Sequence, residues 1–154
     1  MYGSIVMLDS EFIVSQLSRY FRDNGYIVFA VLFGSFARNQ ARDMSDIDIA
    51  VYPSKELTLD EKIELIYYVA KCLDVCEDRI NIVFLNNLTP LELRYKIFRD
   101  GILIFSRNID VYRRFRDESI SMYIDFMLSL RTVGYGEKYI KKIRAEVYGA
   151  KRKN

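Results

Sequence analysis

Histidine is absent from the 154 residues, which removes the commonest general base and the commonest ligand of soft metals. Acid–base or metal chemistry must therefore rest on Asp, Glu, Lys, Tyr or Cys side chains. The two cysteines, Cys72 and Cys76, lie four residues apart in a helical pattern, and we expect them to share one helix face. Structural zinc usually takes four Cys or His ligands, so we interpret both as ordinary core or boundary residues.

Long hydrophobic runs are also missing. The longest apolar stretches, such as residues 26–33 and 80–85, are far shorter than the ~20 residues that a membrane-spanning helix needs. The N-terminus has no basic region followed by a long apolar block and a small-residue cleavage site, so we expect no signal peptide. With 51% hydrophobic and 29% charged residues, the chain is typical of a globular protein rather than a disordered one. We expect a single domain in the cytoplasm.

Charge is distributed unevenly along the chain. Before Arg107 there are 11 basic and 15 acidic residues, and from Arg107 onward there are 12 basic and 6 acidic residues. A basic tail can face nucleic acid or an acidic protein partner, although it is often only a solvated surface. A nucleic-acid-binding role for the basic segment 151–153 is weakly supported, because no aromatic platform stands beside it.

Hydrophobic periodicity predicts the order helix, strand, short helix, strand, helix, strand and further helices, which is an α/β layer arrangement. The short helix is expected to extend to about residue 41. We interpret residues 1–106 as the core and residues 107–154 as a helical extension packed on the same domain. An apolar stripe in that extension is more often core than docking surface, and it comprises Tyr112, Phe115, Ser119, Met122, Phe126 and Leu130. A last helix is expected to turn inward Tyr139, Ile140, Ile143 and Val147.

The segment that follows the first strand carries the polar residues that point to chemistry. Gly34 ends the strand and lets the backbone approach a ligand, while Ser35 at a helix start would complete an anion site suited to phosphate. Asp46 and Asp48 stand at alternate positions of the next strand, so both carboxylates are expected on one face. Their Cα atoms would lie about 6.5 Å apart, close enough to hold hydrated Mg²⁺ as one ion or as a pair.

Each of these features also has an ordinary structural explanation. Gly-Ser is common in turns, Asp-X-Asp is a short motif, and two carboxylates on one strand face can be a solvated edge. Their combination carries more weight, because Arg38 stands four residues after the glycine and Ser45 precedes the acids, where it would cap or orient the strand. The combination favours a nucleotide-binding site.

This pattern resembles the Gly-Ser…Asp-X-Asp signature of the DNA polymerase β-like nucleotidyltransferase superfamily. It is similar in particular to the minimal nucleotidyltransferase (MNT) family of prokaryotes, whose form is Gly-Ser-X-X-Arg, a spacer and Ser-Asp-X-Asp. The similarity extends over roughly residues 10 to 145, and it includes the strand 79–86, the stretch 91–105 and the helix around 123–126. The resemblance implies a small mixed β-sheet flanked by helices, with further C-terminal helices.

The resemblance also implies roles and partners. Asp46 and Asp48 would hold one or two Mg²⁺ ions, and the triphosphate of ATP would be bound by Gly34, Ser35, Arg38 and Ser45. Many MNT proteins are antitoxins encoded beside a HEPN-domain ribonuclease toxin, and some transfer AMP from ATP to a tyrosine of that toxin. The implied function is therefore Mg-dependent transfer of AMP to a hydroxyl of a HEPN toxin, with the helices after Asn108 as a docking surface.

The chain departs from the family pattern at Asn81. Active members carry a third carboxylate on the strand after the long helix, where it ligates metal and helps to deprotonate the attacking hydroxyl, and Asn81 aligns with it. An amide oxygen can coordinate magnesium but cannot act as a general base. Asp78, expected in the preceding turn, is another candidate for this role. Two functions stay open: an adenylyltransferase antitoxin, and a binding-only antitoxin that blocks its partner while keeping a vestigial nucleotide site.

Overall fold

The computed structural model describes residues 7–134, 141–142 and 144–146, and a four-stranded sheet forms its centre. In chain order the strands are β1 (Ile27–Phe33), β2 (Ile47–Pro53), β3 (Ile80–Phe84) and β4 (Ile102–Ser106). They lie side by side in the order β3-β2-β1-β4. β1 is antiparallel to both of its neighbours, whereas β2 and β3 are parallel. The expected small mixed sheet is therefore confirmed.

Helices connect these strands and cover the sheet. They are α1 (Ser10–Asp23), α2 (Gly34–Ala37), α3 (Leu59–Leu73), a 3₁₀ helix (Glu77–Arg79), α4 (Leu91–Asp100) and α5 (Ile109–Thr132). The side chains of Asp9 and Thr58 cap α1 and α3, because each accepts a hydrogen bond from a free backbone N–H of the first turn. Within the described residues, no helix combines the length and the hydrophobicity that a membrane crossing would need.

Alternate side chains of β1 enter two separate hydrophobic clusters. Ala30 and Leu32 pack with residues of α1 and α3 on one face of the sheet. Phe29, Val31 and Phe33 pack with residues of α4 and α5 on the other face. All five side chains are buried. Since β1 is covered on both faces and hydrogen-bonded along both edges, the residues directly after it are held in fixed positions.

α5 contributes its first half to the core. Tyr112, Phe115 and Ser119 are buried as predicted, and Tyr123 is buried with them. Met122 and Phe126 are 47% and 43% exposed, so the predicted stripe is wrong for these two residues. The ring of Tyr123 stacks on Tyr95 in the first half of α4, 4.3 Å between centroids. Because α4 is only 10 residues long and α5 has 24, α5 continues past the helix that covers its inner side.

Two predictions about helical segments are wrong, namely the helix face shared by the two cysteines and the length of the short helix. The chain leaves α3 at Asp74, whose backbone is left-handed with a φ of 54°. Cys76 is therefore exposed outside the helix, and it does not share a helix face with the half-buried Cys72. α2 ends after one turn rather than near residue 41, because Asn39 also has a left-handed backbone with a φ of 57°.

Two predictions for the end of the chain fall on residues that the structure does not describe. They are the inward-facing positions of the last helix, Tyr139, Ile140, Ile143 and Val147, and the basic segment 151–153. Within the stretch predicted as the last helix, residues 141–142 and 144–146 are described, and they are helical. Arg144 in this stretch donates a hydrogen bond to the hydroxyl of Tyr123 at 3.1 Å, so it contacts α5.

Candidate functional site

The chain turns sharply at Gly34, where β1 ends and α2 begins. Gly34 has a φ of 75°, which residues with a side chain rarely adopt. A Cβ atom there would collide with the carboxylate of Asp48, which lies opposite Phe33 in the antiparallel pairing of β1 with β2. The buried ring of Phe36 fixes the short helix α2 against the core. Glycine is therefore required both by the backbone conformation and by the close approach to Asp48.

The two predicted carboxylates lie at the start of β2. Asp48 is half-buried within the strand, whereas Asp46 is exposed and precedes the first strand residue, Ile47. The prediction that both are strand residues is wrong for Asp46. The reason is that pairing with β3 begins at Ile47 and Ile80, and the chain before Ile80 is a 3₁₀ helix that offers no strand backbone to Asp46. The pair thus combines one carboxylate fixed by the sheet and one on a loop.

Asn81 lies beside Asp48 on the neighbouring strand. The two residues are partners in the parallel register of β2 and β3, and Nδ2 of Asn81 donates a hydrogen bond to Oδ1 of Asp48 at 2.7 Å. Because an ionised carboxylate only accepts hydrogen bonds, the NH₂ side of the amide must face Asp48. Asn81 therefore holds one oxygen of Asp48 without adding a charge. Asp78, which the sequence predicts in the turn before β3, lies in the 3₁₀ helix and is exposed.

The loop that leads to Asp46 is held through Ser45. The hydroxyl oxygen of Ser45 accepts a hydrogen bond from the backbone N–H of Arg42 at 2.7 Å. Its carbonyl oxygen accepts a second one from Nη2 of Arg79 at 3.0 Å. The sequence interpretation missed Arg79, whose single signal is a basic residue directly before an apolar strand. Arg79 ties the head of β3 to the loop before β2, and so it fixes the backbone from which the acidic pair projects.

The other predicted nucleotide-binding residues lie on α2 and at its end. Ser35 is half-buried, and its carbonyl oxygen accepts a hydrogen bond from the backbone N–H of Gln40 at 2.8 Å. Arg38 is exposed, and its Nε donates to the side chain of the same Gln40 at 3.2 Å. Gln40 thus holds the end of this turn. Among the predicted site residues, Asp48 contacts both Gly34 and Asn81, whereas Arg38 is exposed.

The acidic pair offers few ligands for a metal ion. Among the residues that the structure describes, no group of three or more Asp, Glu, Cys or His side chains could hold one. Mg²⁺, however, usually keeps several waters and is bound in proteins by one or two carboxylates together with substrate phosphates. The absent Cβ at Gly34 leaves backbone directly beside the Asp48 carboxylate. This donor set therefore fits a magnesium ion that is bound together with a nucleotide.

Comparison with known protein families matches residues 15–110 to the family described as "Polymerase beta, Nucleotidyltransferase". The matched segment covers more than half of the chain and includes all four strands, the Gly34 turn and the acidic pair. The chain belongs to the polymerase β nucleotidyltransferase family. The family resemblance and the fold that the sequence implied are both confirmed.

This member of the family is similar to chains of solved toxin–antitoxin complexes. A chain of a toxin–antitoxin crystal structure with AMP-PNP is 25% identical, with a TM-score of 0.62 over 78% of this chain and 94% of that chain. A chain in the complex of a tri-AMPylated Shewanella oneidensis HEPN toxin with an MNT antitoxin is 22% identical, with a TM-score of 0.59 over 80% and 93% of the two chains. A chain of an MntA–HepT toxin–antitoxin structure is also 22% identical, with a TM-score of 0.58 over 80% and 94%. No curated protein matches the chain at a significant level.

Proposed function

We propose that this nucleotidyltransferase is the antitoxin of a toxin–antitoxin pair, and that it transfers AMP from ATP to a tyrosine hydroxyl of a HEPN-domain toxin. The observation that carries this proposal is the contact between the Gly34 turn and the Asp48 carboxylate. It joins a backbone suited to phosphate and an acidic group suited to Mg²⁺ at one edge of the sheet. The family membership and the likeness to a complex that contains an AMPylated HEPN toxin support the same function.

Each predicted site residue has a defined task in this proposal. Gly34 and Ser35 bind phosphate through backbone N–H groups and a hydroxyl at the start of α2, and Arg38 adds a positive charge at the rim. Asp46 and Asp48 hold Mg²⁺, which when bound neutralises phosphate charge and makes the α-phosphorus more electrophilic. Ser45 orders the loop on which Asp46 lies.

The transfer forms one phosphorus–oxygen bond and breaks another. The tyrosine oxygen attacks the α-phosphorus in line, and the bridging bond between the α- and β-phosphates breaks, so pyrophosphate leaves with the electron pair. The hydroxyl proton passes to water. Asn81, which we propose occupies the position of the third acid, supplies no carboxylate to accept it, because an amide is not a base at neutral pH. The transfer is therefore expected to be slow.

The hydrogen bond from Asn81 to Asp48 favours a second candidate function, a binding-only antitoxin. In this function the amide of Asn81 occupies one oxygen of Asp48 through its hydrogen bond. No AMP is transferred, and the protein blocks the toxin by contact. The docking surface would lie on the second half of α5, where exposed apolar side chains are concentrated, namely Met122, Ile124, Phe126 and Leu128.

Transfer to the toxin distinguishes the two functions. The protein is co-expressed and purified with a HEPN-type toxin and supplied with labelled ATP and Mg²⁺, and the intact mass of the toxin is measured. An increase by one or more AMP units that disappears in the Asp46→Asn/Asp48→Asn variant supports the transferase. Unchanged toxin mass, with equal inhibition of the toxin by wild type and variant, rejects transfer in favour of binding alone.

A further inference from the structure

β3 is the last strand on one side of the sheet, and among the described residues its only strand neighbour is β2. Leu85, directly after β3, donates its backbone N–H to the carbonyl oxygen of Val51 in β2 at 2.8 Å. Backbone groups of successive strand residues point to opposite edges. Val83 therefore also faces β2, whereas Ile82 and Phe84 direct their N–H and C=O groups outward. This outer edge of β3 offers donors and acceptors in the pattern that another strand would take up.

β3 lacks the features that usually protect an edge strand. Its five residues include no charged residue and no proline, and its register with β2 runs without a shift. β4, at the opposite side of the sheet, has an irregularity between Leu103 and Phe105 in its register with β1. Such an irregularity hinders the addition of a further strand. The outer edge of β3 is therefore the regular and uncharged one of the two.

α3 carries exposed apolar side chains on the same side of the molecule. Leu59, Ile63 and Tyr67 follow one another at four-residue intervals, and Ile63 and Tyr67 are 54% and 47% exposed. With 3.6 residues per turn, Leu59 and Ile63 lie on the opposite side of α3 from Tyr68, whose ring stacks on Tyr20 of α1. α1 contacts β4 and β1, and α3 contacts β3. The side of α3 that faces away from α1 therefore lies toward the outer edge of β3.

We propose that the outer edge of β3 and the exposed apolar side chains of α3 together bind a second copy of this chain in a two-fold symmetric dimer. A symmetric interface uses the same surface of both copies, so that surface must be complementary to itself. The inference is independent of the proposed nucleotide function. Asp48 and Asn81 point to the face of the sheet opposite α3, because they alternate with Ile49 and Ile82, which pack on the α3 side.

Antiparallel pairing of two copies of β3 satisfies the outward backbone groups. With Ile82 opposite Ile82 of the second copy, these two residues exchange both N–H···O=C bonds, and the N–H of Phe84 meets the carbonyl oxygen of Ile80 in the second copy. The N–H of Ile80 is not required, because it already donates to the carbonyl oxygen of Glu77. The two-fold axis is perpendicular to the sheet, so the two four-stranded sheets join into one and both α3 helices lie on the same face.

Charge at the two ends of β3 favours this antiparallel direction. Glu77 and Asp78 are exposed directly before the strand, whereas residues 86–88 after it are uncharged. In the antiparallel dimer the acids of one copy lie beside this uncharged segment of the other, at the end where Nζ of Lys62 lies 5.2 Å from the centroid of the Phe84 ring. A parallel pairing in register would place the acids of both copies side by side, where they repel each other.

The apolar side chains of α3 meet their copies close to the two-fold axis. Lys62 lies beside Phe84, which is two residues, or about 6.6 Å, from Ile82 along β3. One turn of α3 covers about 5.4 Å, so the axis through Ile82 passes near Ile63 and Tyr67. Packing of these two side chains on the second copy removes apolar surface from water and adds to the strand hydrogen bonds.

Sedimentation of the full-length chain over a concentration series tests the dimer. Wild type is expected to sediment as two chains. Ile63→Lys/Tyr67→Lys brings like charges together beside the axis, and it is expected to raise the dissociation constant by about a hundredfold or more. The matched control, Met122→Lys/Phe126→Lys, makes the same change at two side chains of α5 that are exposed to a similar extent, and it should remain dimeric.

Hydrogen exchange of the wild-type chain, followed by NMR, tests the strand pairing without any substitution. In the dimer the amide protons of Ile82 and Phe84 are expected to be protected, and dilution to the monomer should remove this protection. The amide of Val83 faces β2 and is the internal control, because it should stay protected in both states.

The outcomes decide the proposal directly. A dimeric wild type and control, a monomeric α3 variant and protected amides at Ile82 and Phe84 support it. A wild type that stays monomeric at millimolar concentration overturns it, and so does a dimer that persists in the α3 variant. A dimer in which the amides of Ile82 and Phe84 exchange freely uses other contacts, and it likewise overturns the pairing through β3.

Discussion

Both ends of β2 have polar surroundings, but the two ends differ in which groups their charged side chains contact. At the first end, Asp48 contacts both Gly34 and Asn81, and the three residues come from three adjacent segments. The far end borders an open groove of about 550 Å³, between the loop after β2 and the loop after β3. There Lys55 pairs with Glu61 at 2.9 Å, and Lys62 lies 5.2 Å from the centroid of the Phe84 ring.

The two ends differ in how their charged and polar groups are paired. In the far groove, Lys55 and Lys62 contact partners within the surface, and the exposed Glu56 adds a carboxylate, so the groove carries charges of both signs. At the first end, backbone conformation and strand register bring unlike chemical groups within contact distance. The following predictions test whether function and stability depend on the two ends as unequally as these contacts imply.

Asn81→Asp should give the largest effect. A carboxylate at this position supplies the base that Asn81 lacks, and general-base assistance is worth about 10²–10⁴-fold in rate. We expect faster AMP transfer to the toxin, measured with labelled ATP and mass spectrometry. In the metal-free protein the new carboxylate faces Asp48 across a former hydrogen bond, so thermal stability should fall and Mg·ATP should restore it. Rapid transfer by wild type with no gain in the variant would contradict this prediction. Asp78 would then be the candidate base, and the rate of transfer by Asp78→Asn would test it.

Asp46→Asn/Asp48→Asn should abolish the dependence of ATP affinity on Mg²⁺. Each substitution removes a charged oxygen ligand, and we expect calorimetry to show a loss of about tenfold or more. The control is Glu56→Gln/Asp60→Asn, which removes two exposed carboxylates near the far end of β2. Equal affinity in the two double variants would show that the acidic pair is not a metal site.

Gly34→Ala should lower the free energy of unfolding by at least about 1–2 kcal/mol, the cost of a left-handed backbone in a residue with a side chain. The new methyl group also displaces the Asp48 carboxylate, so ATP affinity should fall with stability. Gly25→Ala is a matched control, because no atom lies within 4 Å of its added Cβ and its φ is outside the left-handed region. Urea unfolding of both variants measures the difference, and equal midpoints would contradict the tight contact at Gly34.

Lys55→Ala should have the smallest effect. The pair with Glu61 lies on the surface, where water and salt screen it and side-chain ordering offsets the attraction. The urea midpoint and the affinity for Mg·ATP should both stay within experimental error of wild type. A marked loss of ATP binding would mean that the far groove, rather than the Gly34 edge, takes the nucleotide.

The strands and long helices were predictable because their side chains follow a period of two or of about four residues. β1 was instead predictable as a continuous run of apolar, β-branched and aromatic residues, because it is buried on both faces of the sheet. The end of α2 was harder to predict, because the chain leaves this short helix through Asn39, a non-glycine residue with a left-handed backbone. The roles of the predicted site residues stay predictions until nucleotide binding is measured.

By itself, the sequence determined the family, the mixed sheet and the candidate site residues, because Gly34-Ser35 and Asp46-X-Asp48 are local patterns next to recognisable strands. Tertiary structure alone decided which of these residues meet. The parallel register of β2 and β3 sets Asn81 against Asp48, and the antiparallel register of β1 and β4 brings the end of α4 to the Gly34 turn. Strand register depends on contacts between segments tens of residues apart, so no local pattern shows it.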